Sequence, residues 1–212
     1  EFFDKELALN QAKKLDEDHQ RGKVHGDLHG VPVGIKDIFD TEDMPTTDGT
    51  EIHKKNLSWN DSTVVSKLKQ AGAVIMGKTV TAELAYYSPG KTKNPHDVTR
   101  TPGGSSSGSA AAVACNMVPL AVGSQTNGSV IRPASFCGVV GYKPSKGYIS
   151  RHLVLNVSPT LDQVGIFSNS IEDAALIGEQ LFGHDKQDPG TTLNPKPKLL
   201  TASKQKPPAE PV

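Results

Sequence analysis

Ser129 lies in a glycine-containing turn directly after an apolar run, a setting in which a serine can act as a nucleophile. The turn reads Gly-Ser-Gln-Thr-Asn-Gly-Ser-Val-Ile-Arg-Pro-Ala over residues 123–134, and residues 118–122 before it are typical of a buried strand. A turn after a strand can expose a serine hydroxyl, and its successive N–H groups can bind an oxyanion. Most turn serines do no chemistry, so this segment alone is only suggestive.

A second segment, Thr-Pro-Gly-Gly-Ser-Ser-Ser-Gly-Ser at residues 101–109, leads into a helix of small residues. Its glycines permit a close approach to the backbone, and a helix start presents free N–H groups to an anion or a developing oxyanion. The alternative is a flexible linker. A linker would not lie between a helix–strand unit and a buried helix, so the segment favours a binding or catalytic loop.

Lys36 ends an apolar run and is a candidate base. Ile35 directly precedes it, and Ile38 follows two residues after it. Most lysines are solvated, but a desolvated lysine loses its charge more easily and can accept a proton. The alternative is an internal salt bridge with Asp37 or Asp40.

Taken together, the three segments resemble the amidase signature family of serine hydrolases. The resemblance extends from about residue 8 to residue 185. It rests, in chain order, on GVPVGIKDIFDT, GKTVTAEL, NPHDVTRTPGGSSSGSAAAVA, GSVIRPASFCGVVGYKPSKG, SPTLDQVG and SIEDAAL. Ser105 and Ser129 are 129 − 105 = 24 residues apart, which agrees with the family pattern.

The resemblance implies a Ser–cis-Ser–Lys triad, in which Ser129 is the nucleophile, Ser105 the cis-serine and Lys36 the base. The backbone stretch that it implies as the oxyanion hole is Thr126, Asn127, Gly128 and Ser129. The residues that it implies as a supporting loop are Gly103, Gly104 and Ser106. No metal and no cofactor are expected.

The chain departs from the family pattern around the nucleophile. The usual Asp-Thr-Gly-Gly-Ser-Ile-Arg reads Gln-Thr-Asn-Gly-Ser-Val-Ile at residues 125–131. Gln125 thus replaces an aspartate, Asn127 a glycine and Ile131 the common arginine, while Arg132 lies next door. The nucleophile is kept, so the departures concern the hydrogen bonds around it.

Three other patterns are rejected. Residues 72–79 match the phosphate-loop pattern G-x4-G-K-T, but the intervening residues are apolar and strand-forming, whereas a phosphate loop must wrap around an anion. His25 and His29 are four residues apart, but glycines interrupt any helix that would align them, and no ligand cluster completes a metal site. No spacing rule supports a Ser-His-Asp triad with His152 and Asp162.

Hydrophobic periodicity predicts alternating helices and strands, which is typical of an α/β layer fold. The helices are predicted at residues 3–20, 61–70, 109–116 and 171–181, the strands at residues 31–35, 73–76 and 118–122. The resemblance implies a mixed central β-sheet flanked by helices, incomplete at its C-terminal end.

Residues 1–187 are predicted to form a partial amidase signature domain that holds the catalytic core. Residues 188–212 are rich in proline and lysine and are interpreted as a tail or as the truncated start of the remaining half. Only residues 198–202 in this region could form a strand. We therefore expect the chain to be a fragment.

Composition narrows the classes of partner. Lys plus Arg and Asp plus Glu each number 23, so the chain lacks the basic excess that a nucleic-acid surface requires. The absence of a long apolar run argues against a membrane span. Cys115 and Cys137 both lie in apolar sequence and are predicted to be buried free thiols. Together with the charge balance and the absence of a long apolar run, they lead us to expect a cytoplasmic location.

The resemblance implies an amidase that converts a small-molecule carboxylic amide to a carboxylate plus ammonia or an amine. A homodimer is left open. Two alternatives stay open as well. One is the amidase component of a glutamine-dependent tRNA amidotransferase, against which the departures at Gln125 and Ile131 count. The other is an inactive fragment.

Overall fold

The computed structural model describes residues 1–206, in which eleven helices and strands alternate along most of the chain. In chain order they are α1 (Lys5–Gln20), β1 (Pro32–Lys36), α2 (Thr63–Gln70), β2 (Val74–Thr79), α3 (Ser107–Ala114), β3 (Leu120–Gln125), α4 (Ile131–Cys137), β4 (Val140–Tyr142), β5 (Gln163–Ser168), α5 (Ile171–Leu181) and α6 (Leu199–Ser203). Short 3-10 turns form at Glu51–His53 and Glu83–Ala85.

The five strands form one mixed sheet in the order β2-β1-β3-β5-β4. β1 pairs in parallel with β2 and β3, whereas β5 is antiparallel to both β3 and β4. The carboxyl ends of β1 and β3 therefore meet at the same edge of the sheet. The predicted fold class, a mixed sheet flanked by helices, is confirmed.

Each face of the sheet packs against its own hydrophobic cluster, because side chains alternate between the faces of a strand. The larger cluster joins alternate residues of β1, β3 and β5 to α2 and α5. Its strand members include Val33, Ile35, Leu120, Val122, Val164 and Ile166. The smaller cluster joins Ala121 of β3 and Phe167 of β5 to α3 and α4. The sheet is thus the middle layer of a three-layer arrangement.

Side chains cap the starts of two helices, α1 and α5. Asp4 accepts hydrogen bonds from the N–H groups of Glu6 and Leu7, which begins α1 at Lys5. Ser170 accepts one from the N–H of Asp173, so α5 begins at Ile171 as predicted.

Two sequence predictions are wrong. The sequence allows a strand at residues 198–202, but Leu199–Ser203 forms helix α6, in which the N–H of Leu200 donates to Glu179 Oε1 at 2.8 Å. A five-residue run is too short to separate the two periodicities. Cys115 is exposed just after the last turn of α3, whereas Cys137 is buried as predicted.

The predicted tail begins by packing onto the rest of the chain. Asp188 is buried and accepts two hydrogen bonds from the guanidinium of Arg151, at 3.0 and 3.1 Å. The division at residue 187 stays a prediction, and the last six residues of the predicted tail, 207–212, lie outside the described residues. None of the helices within residues 1–206 has the length and apolar character needed to cross a bilayer.

Candidate active site

Lys36 is the last residue of β1, and its side chain is completely buried. Its Nζ lies 2.7 Å from Ser105 Oγ and 2.8 Å from Ser124 Oγ. Ser124 belongs to the neighbouring strand β3, near the same end of the sheet. The structure thus brings the predicted base and the implied cis-serine, Ser105, into direct contact.

Burial lowers the pKa of Lys36 from its ordinary 10.5 to about 7, and the carboxylate of Asp162 opposes this shift. A neutral amine keeps a lone pair, so it can accept a proton from a neighbouring hydroxyl. The alternative of a salt bridge to Asp37 or Asp40 is wrong. Asp37 pairs instead with Lys78, at 3.1 Å.

The Gly104–Ser105 peptide bond is cis, and Ser105 is the residue that the resemblance implies as the cis-serine. Ser105 is almost fully buried, and its carbonyl accepts a hydrogen bond from the N–H of Ala82 at 3.0 Å. Its hydroxyl faces Lys36. Ser105 is therefore held by its backbone and its side chain at once.

Ser129 lies in the turn between β3 and α4, and 6% of its surface is exposed. Its carbonyl accepts a hydrogen bond from the N–H of Ser106 at 3.3 Å, which joins the turn of Ser129 to the loop of Ser105. The Ser129 hydroxyl makes no hydrogen bond with any group among residues 1–206. The structure therefore brings the two serine segments together without a direct bond between their hydroxyls.

The implied oxyanion stretch offers free donors. Within the described part of the chain, the N–H groups of Thr126, Asn127, Gly128 and Ser129 donate to no protein acceptor. The Thr126 hydroxyl donates to Asp162 Oδ1 at 2.5 Å, and Asp162 Oδ2 accepts two backbone N–H bonds, each 2.7 Å long, from Val157 and Ser158. Asp162 thus anchors this stretch from the neighbouring loop.

Gln125, which stands where the family pattern has an aspartate, has a structural role. Its Oε1 accepts hydrogen bonds from the N–H groups of Val130 and Ile131, at 2.9 and 3.0 Å. These N–H groups at the start of α4 have no intrahelical partner, so Gln125 satisfies them. Asn127 is exposed and does not take a positive φ, so its backbone does not require glycine.

The predicted supporting loop packs against Pro133 of α4 and Ser124 of β3. Gly103 has φ +78°, and a Cβ there would lie 2.9 Å from Pro133 Cα, so both the conformation and the space require glycine. Ser106 Oγ donates to the Ser124 carbonyl at 3.1 Å and accepts from the Ser124 N–H at 3.3 Å.

Sequence reasoning missed Ser124 and Asp162 as site residues. Ser124 becomes a partner of Lys36 only through the pairing of β1 with β3. Asp162 is 36 residues from Thr126, and the sequence marked it only through the segment SPTLDQVG and the rejected triad with His152. Both residues also line a cavity of about 250 Å³ beside the site.

The rejected patterns have structural roles instead. Residues 74–79 form strand β2, and Lys78 is buried against Asp37, so this segment forms no phosphate loop. The rings of His25 and His29 stack at 5.6 Å, and His25 Nε2 lies 2.6 Å from Asp18 Oδ2.

Several known proteins are similar to this chain in sequence. The family model described as Amidase matches residues 2–210. The A subunit of glutamyl-tRNA(Gln) amidotransferase from Natranaerobius thermophilus is 46% identical over 190 residues, which cover 87% of this chain and 39% of that protein. Its counterpart from Streptomyces coelicolor is 44% identical over 207 residues, which cover 95% of this chain and 42% of that protein.

Solved structures have a similar fold. Native peptide amidase from Stenotrophomonas maltophilia superposes with a TM-score of 0.87 at 33% identity, over 93% of this chain and 42% of that one. The A subunit of glutamyl-tRNA(Gln) amidotransferase from Thermotoga maritima gives a TM-score of 0.77 at 44% identity, over 80% of this chain and 39% of that one. The chain spans about two fifths of the length of the curated relatives named above. Because the family model covers nearly every residue and the fold agrees, the chain belongs to the amidase family.

Proposed function

We propose that this chain supplies the catalytic groups for hydrolysis of a small carboxylic amide through an acyl-enzyme on Ser129. The observation that carries the proposal is the fully buried Lys36, whose pKa is about 7 and whose Nζ contacts Ser105 Oγ at 2.7 Å. An uncharged lysine beside a buried hydroxyl is suited to accept a proton near neutral pH.

In the first half of the reaction, Lys36 takes the proton of Ser105 while Ser105 takes the proton of Ser129. The Ser129 oxygen attacks the amide carbonyl carbon, and the carbonyl π electrons move to its oxygen. The free N–H groups of residues 126–129 bind this oxyanion, and one such donor contributes about 3–4 kcal/mol to catalysis. The C–N bond then breaks, and the relay returns its proton to the departing nitrogen.

In the second half, water attacks the acyl-enzyme. The same relay accepts a proton from the water, and the ester bond to Ser129 breaks as the relay returns a proton to the serine oxygen. The products are a carboxylic acid and the free hydroxyl, which restores the starting state. Protons and electrons balance without a metal or a redox cofactor.

A second candidate is the amidase component of a glutamine-dependent tRNA amidotransferase, in which the triad would release ammonia from glutamine. The relatives that carry the name of such an amidotransferase, at 44–46% identity, favour it. The Gln125 departure counts less against it than the sequence indicated, because Gln125 holds the start of α4. Ammonia release from glutamine, measured with and without partner subunits, discriminates the two candidates.

The test of the proposed chemistry is labelling with a fluorophosphonate probe followed by mass mapping. We expect the probe on Ser129 and a complete loss of labelling in Ser129→Ala. Ser135→Ala, which removes an exposed serine from the same helix region, is the matched control and should label normally. An unlabelled wild-type chain, or a probe on another serine, would reject the proposal and favour an inactive fragment.

A further inference from the structure

Arg132, in the first turn of α4, contacts both serine segments of the site. Its backbone N–H donates to the carbonyl of Gly128 at 2.9 Å, immediately before Ser129. Its side chain reaches the carbonyl of Gly104, immediately before Ser105, through Nε at 3.1 Å and Nη2 at 2.9 Å. One residue thus holds the peptide groups that precede the two serines.

The contact with Gly104 suits an arginine in particular. Two N–H groups of a planar guanidinium converge on one carbonyl oxygen, so the bond fixes both the position and the direction of the peptide. A lysine ammonium would supply a single point contact on a flexible stem. No carboxylate lies within ion-pair distance of Arg132 among residues 1–206, and the Gly104 carbonyl is therefore its side-chain partner.

The other hydrogen bonds of Ser105 and Ser106 do not involve the Gly104 carbonyl. The Ser105 carbonyl is held by the N–H of Ala82, and the Ser105 hydroxyl by Lys36. The N–H of Ser106 reaches the Ser129 carbonyl with a longer bond of 3.3 Å. Without the guanidinium, the Gly104 carbonyl would have no protein donor in the described part of the chain.

We infer that Arg132 is a positioning residue that sets the separation between the hydroxyls of Ser105 and Ser129. The expected effect on the labelling rate of Ser129 rests on the proposed function. The expected effect on the loop at residues 103–109 does not depend on activity. Arg132 acts through the Gly104 peptide and has no role in proton transfer.

The structural test is amide hydrogen exchange of the full chain. Arg132→Gln removes the fork, and we expect the peptide that covers residues 103–109 to exchange about tenfold faster, because it loses a tether on its outer side. Arg100→Gln is the matched control, since Arg100 is an exposed arginine of the preceding loop whose guanidinium donates to Asp97. Unchanged exchange in Arg132→Gln would overturn the inference whether or not the chain is active.

The kinetic test uses the fluorophosphonate probe at Ser129. A misplaced relay lowers the maximal inactivation rate, and we expect a loss of about 10²-fold in Arg132→Gly with little change in probe affinity. Millimolar methylguanidinium should restore part of this rate, which a merely structural defect would not allow. A loss confined to probe affinity, or no rescue, would assign Arg132 to binding or to stability instead. An unlabelled wild-type chain would reject the proposed function, and hydrogen exchange would still decide the positioning role.

Discussion

Lys36 is fully buried, and among the described residues it has no negatively charged partner. Full burial destabilises its ammonium form, and no carboxylate within ion-pair distance compensates it in the described part of the chain. The two hydroxyls that surround it can bond either protonation state. The residue is thus suited to exchange a proton, whereas Lys78, equally buried, is committed to its pair with Asp37.

The rate of probe labelling at Ser129 should therefore follow the titration of Lys36. Below about pH 7 the lysine is protonated and cannot accept a proton, so the rate should fall as pH falls, and it should level off above about pH 8. Lys36→Arg, which keeps a permanent charge, should lower the rate by about 10²–10⁴-fold. The measurement is the second-order labelling rate between about pH 5 and pH 9.

Lys67 provides the control for this profile. Burial lowers its pKa as well, but it lies in α2 and donates to the carbonyls of Leu181 and Phe182, away from the serines. Lys67→Arg should leave the profile unchanged. A profile that shifts in this variant, or a pH-independent rate in the wild type, would show that Lys36 is not the base.

The sequence was sufficient for residues whose environment is local. The isoleucines around Lys36 indicated a desolvated amine, and burial confirms it. Ser124 was not predictable in this way, because its contact with Lys36 depends on the register of two strands 88 residues apart. Cys115 was predicted wrongly because apolar neighbours along the chain do not indicate whether a residue at a helix end faces solvent.

At the scale of elements, strands β1 and β2 are joined by a charged pair inside the protein. Asp37 and Lys78 are both completely buried, and Lys78 also donates to the Thr46 hydroxyl at 2.8 Å and the Pro45 carbonyl at 3.1 Å. Asp37 accepts from the hydroxyl and the N–H of Thr47. This network fixes the loop that follows Lys36.

Removing one partner of this pair should lower the free energy of unfolding more than removing both partners. Lys78→Met leaves the Asp37 carboxylate buried without its cation, so we expect the free energy of unfolding to fall by about 3–5 kcal/mol. The double variant Asp37→Asn with Lys78→Met should recover most of this loss, because no uncompensated charge remains. Urea unfolding of the three chains measures both effects, and equal stability of the single and double variants would contradict the argument.

Among the elements, those with strong local signals were predicted and those made by tertiary contacts were missed. Helix α5 begins at Ile171 because of its Ser170 cap. Strand β5 is buried at all six positions, yet Gly165 and its polar ends conceal it in the sequence. Helix α4 was missed because it contains Pro133, which is tolerated there since the N–H groups of a first helical turn need no intrahelical partner.

At the scale of the whole molecule, three segments far apart in the chain meet because parallel strands direct them to one edge of the sheet. Lys36 ends β1, while Ser129 follows β3, and Ser105 precedes the helix that packs on both strands. The fold thus determines the geometry of the site, and the site in turn places an unfavourable buried lysine in the core. This cost should be measurable in the stability of the entire chain.

Lys36→Met should therefore raise the free energy of unfolding near neutral pH. The unfolded chain protonates this lysine below pH 10.5, but the native chain does so only below about 7. The wild-type chain thus loses stability as pH falls from about 10.5 to about 7, in total on the order of 5 kcal/mol at about 1.36 kcal/mol per pH unit. Methionine removes this loss at the expense of two hydrogen bonds, each contributing about 1 kcal/mol.

Urea unfolding of both chains between about pH 6.5 and pH 10 measures the difference. The advantage of Lys36→Met should be largest near pH 7, where we expect about 2–3 kcal/mol, and it should shrink as pH rises toward the unfolded pKa. Lys14→Met, at an exposed position of α1, should change stability by no more than about 0.5 kcal/mol and is the control. A destabilised Lys36→Met chain at pH 7, or an advantage that does not depend on pH, would mean that the native protein does not hold this lysine in its neutral form.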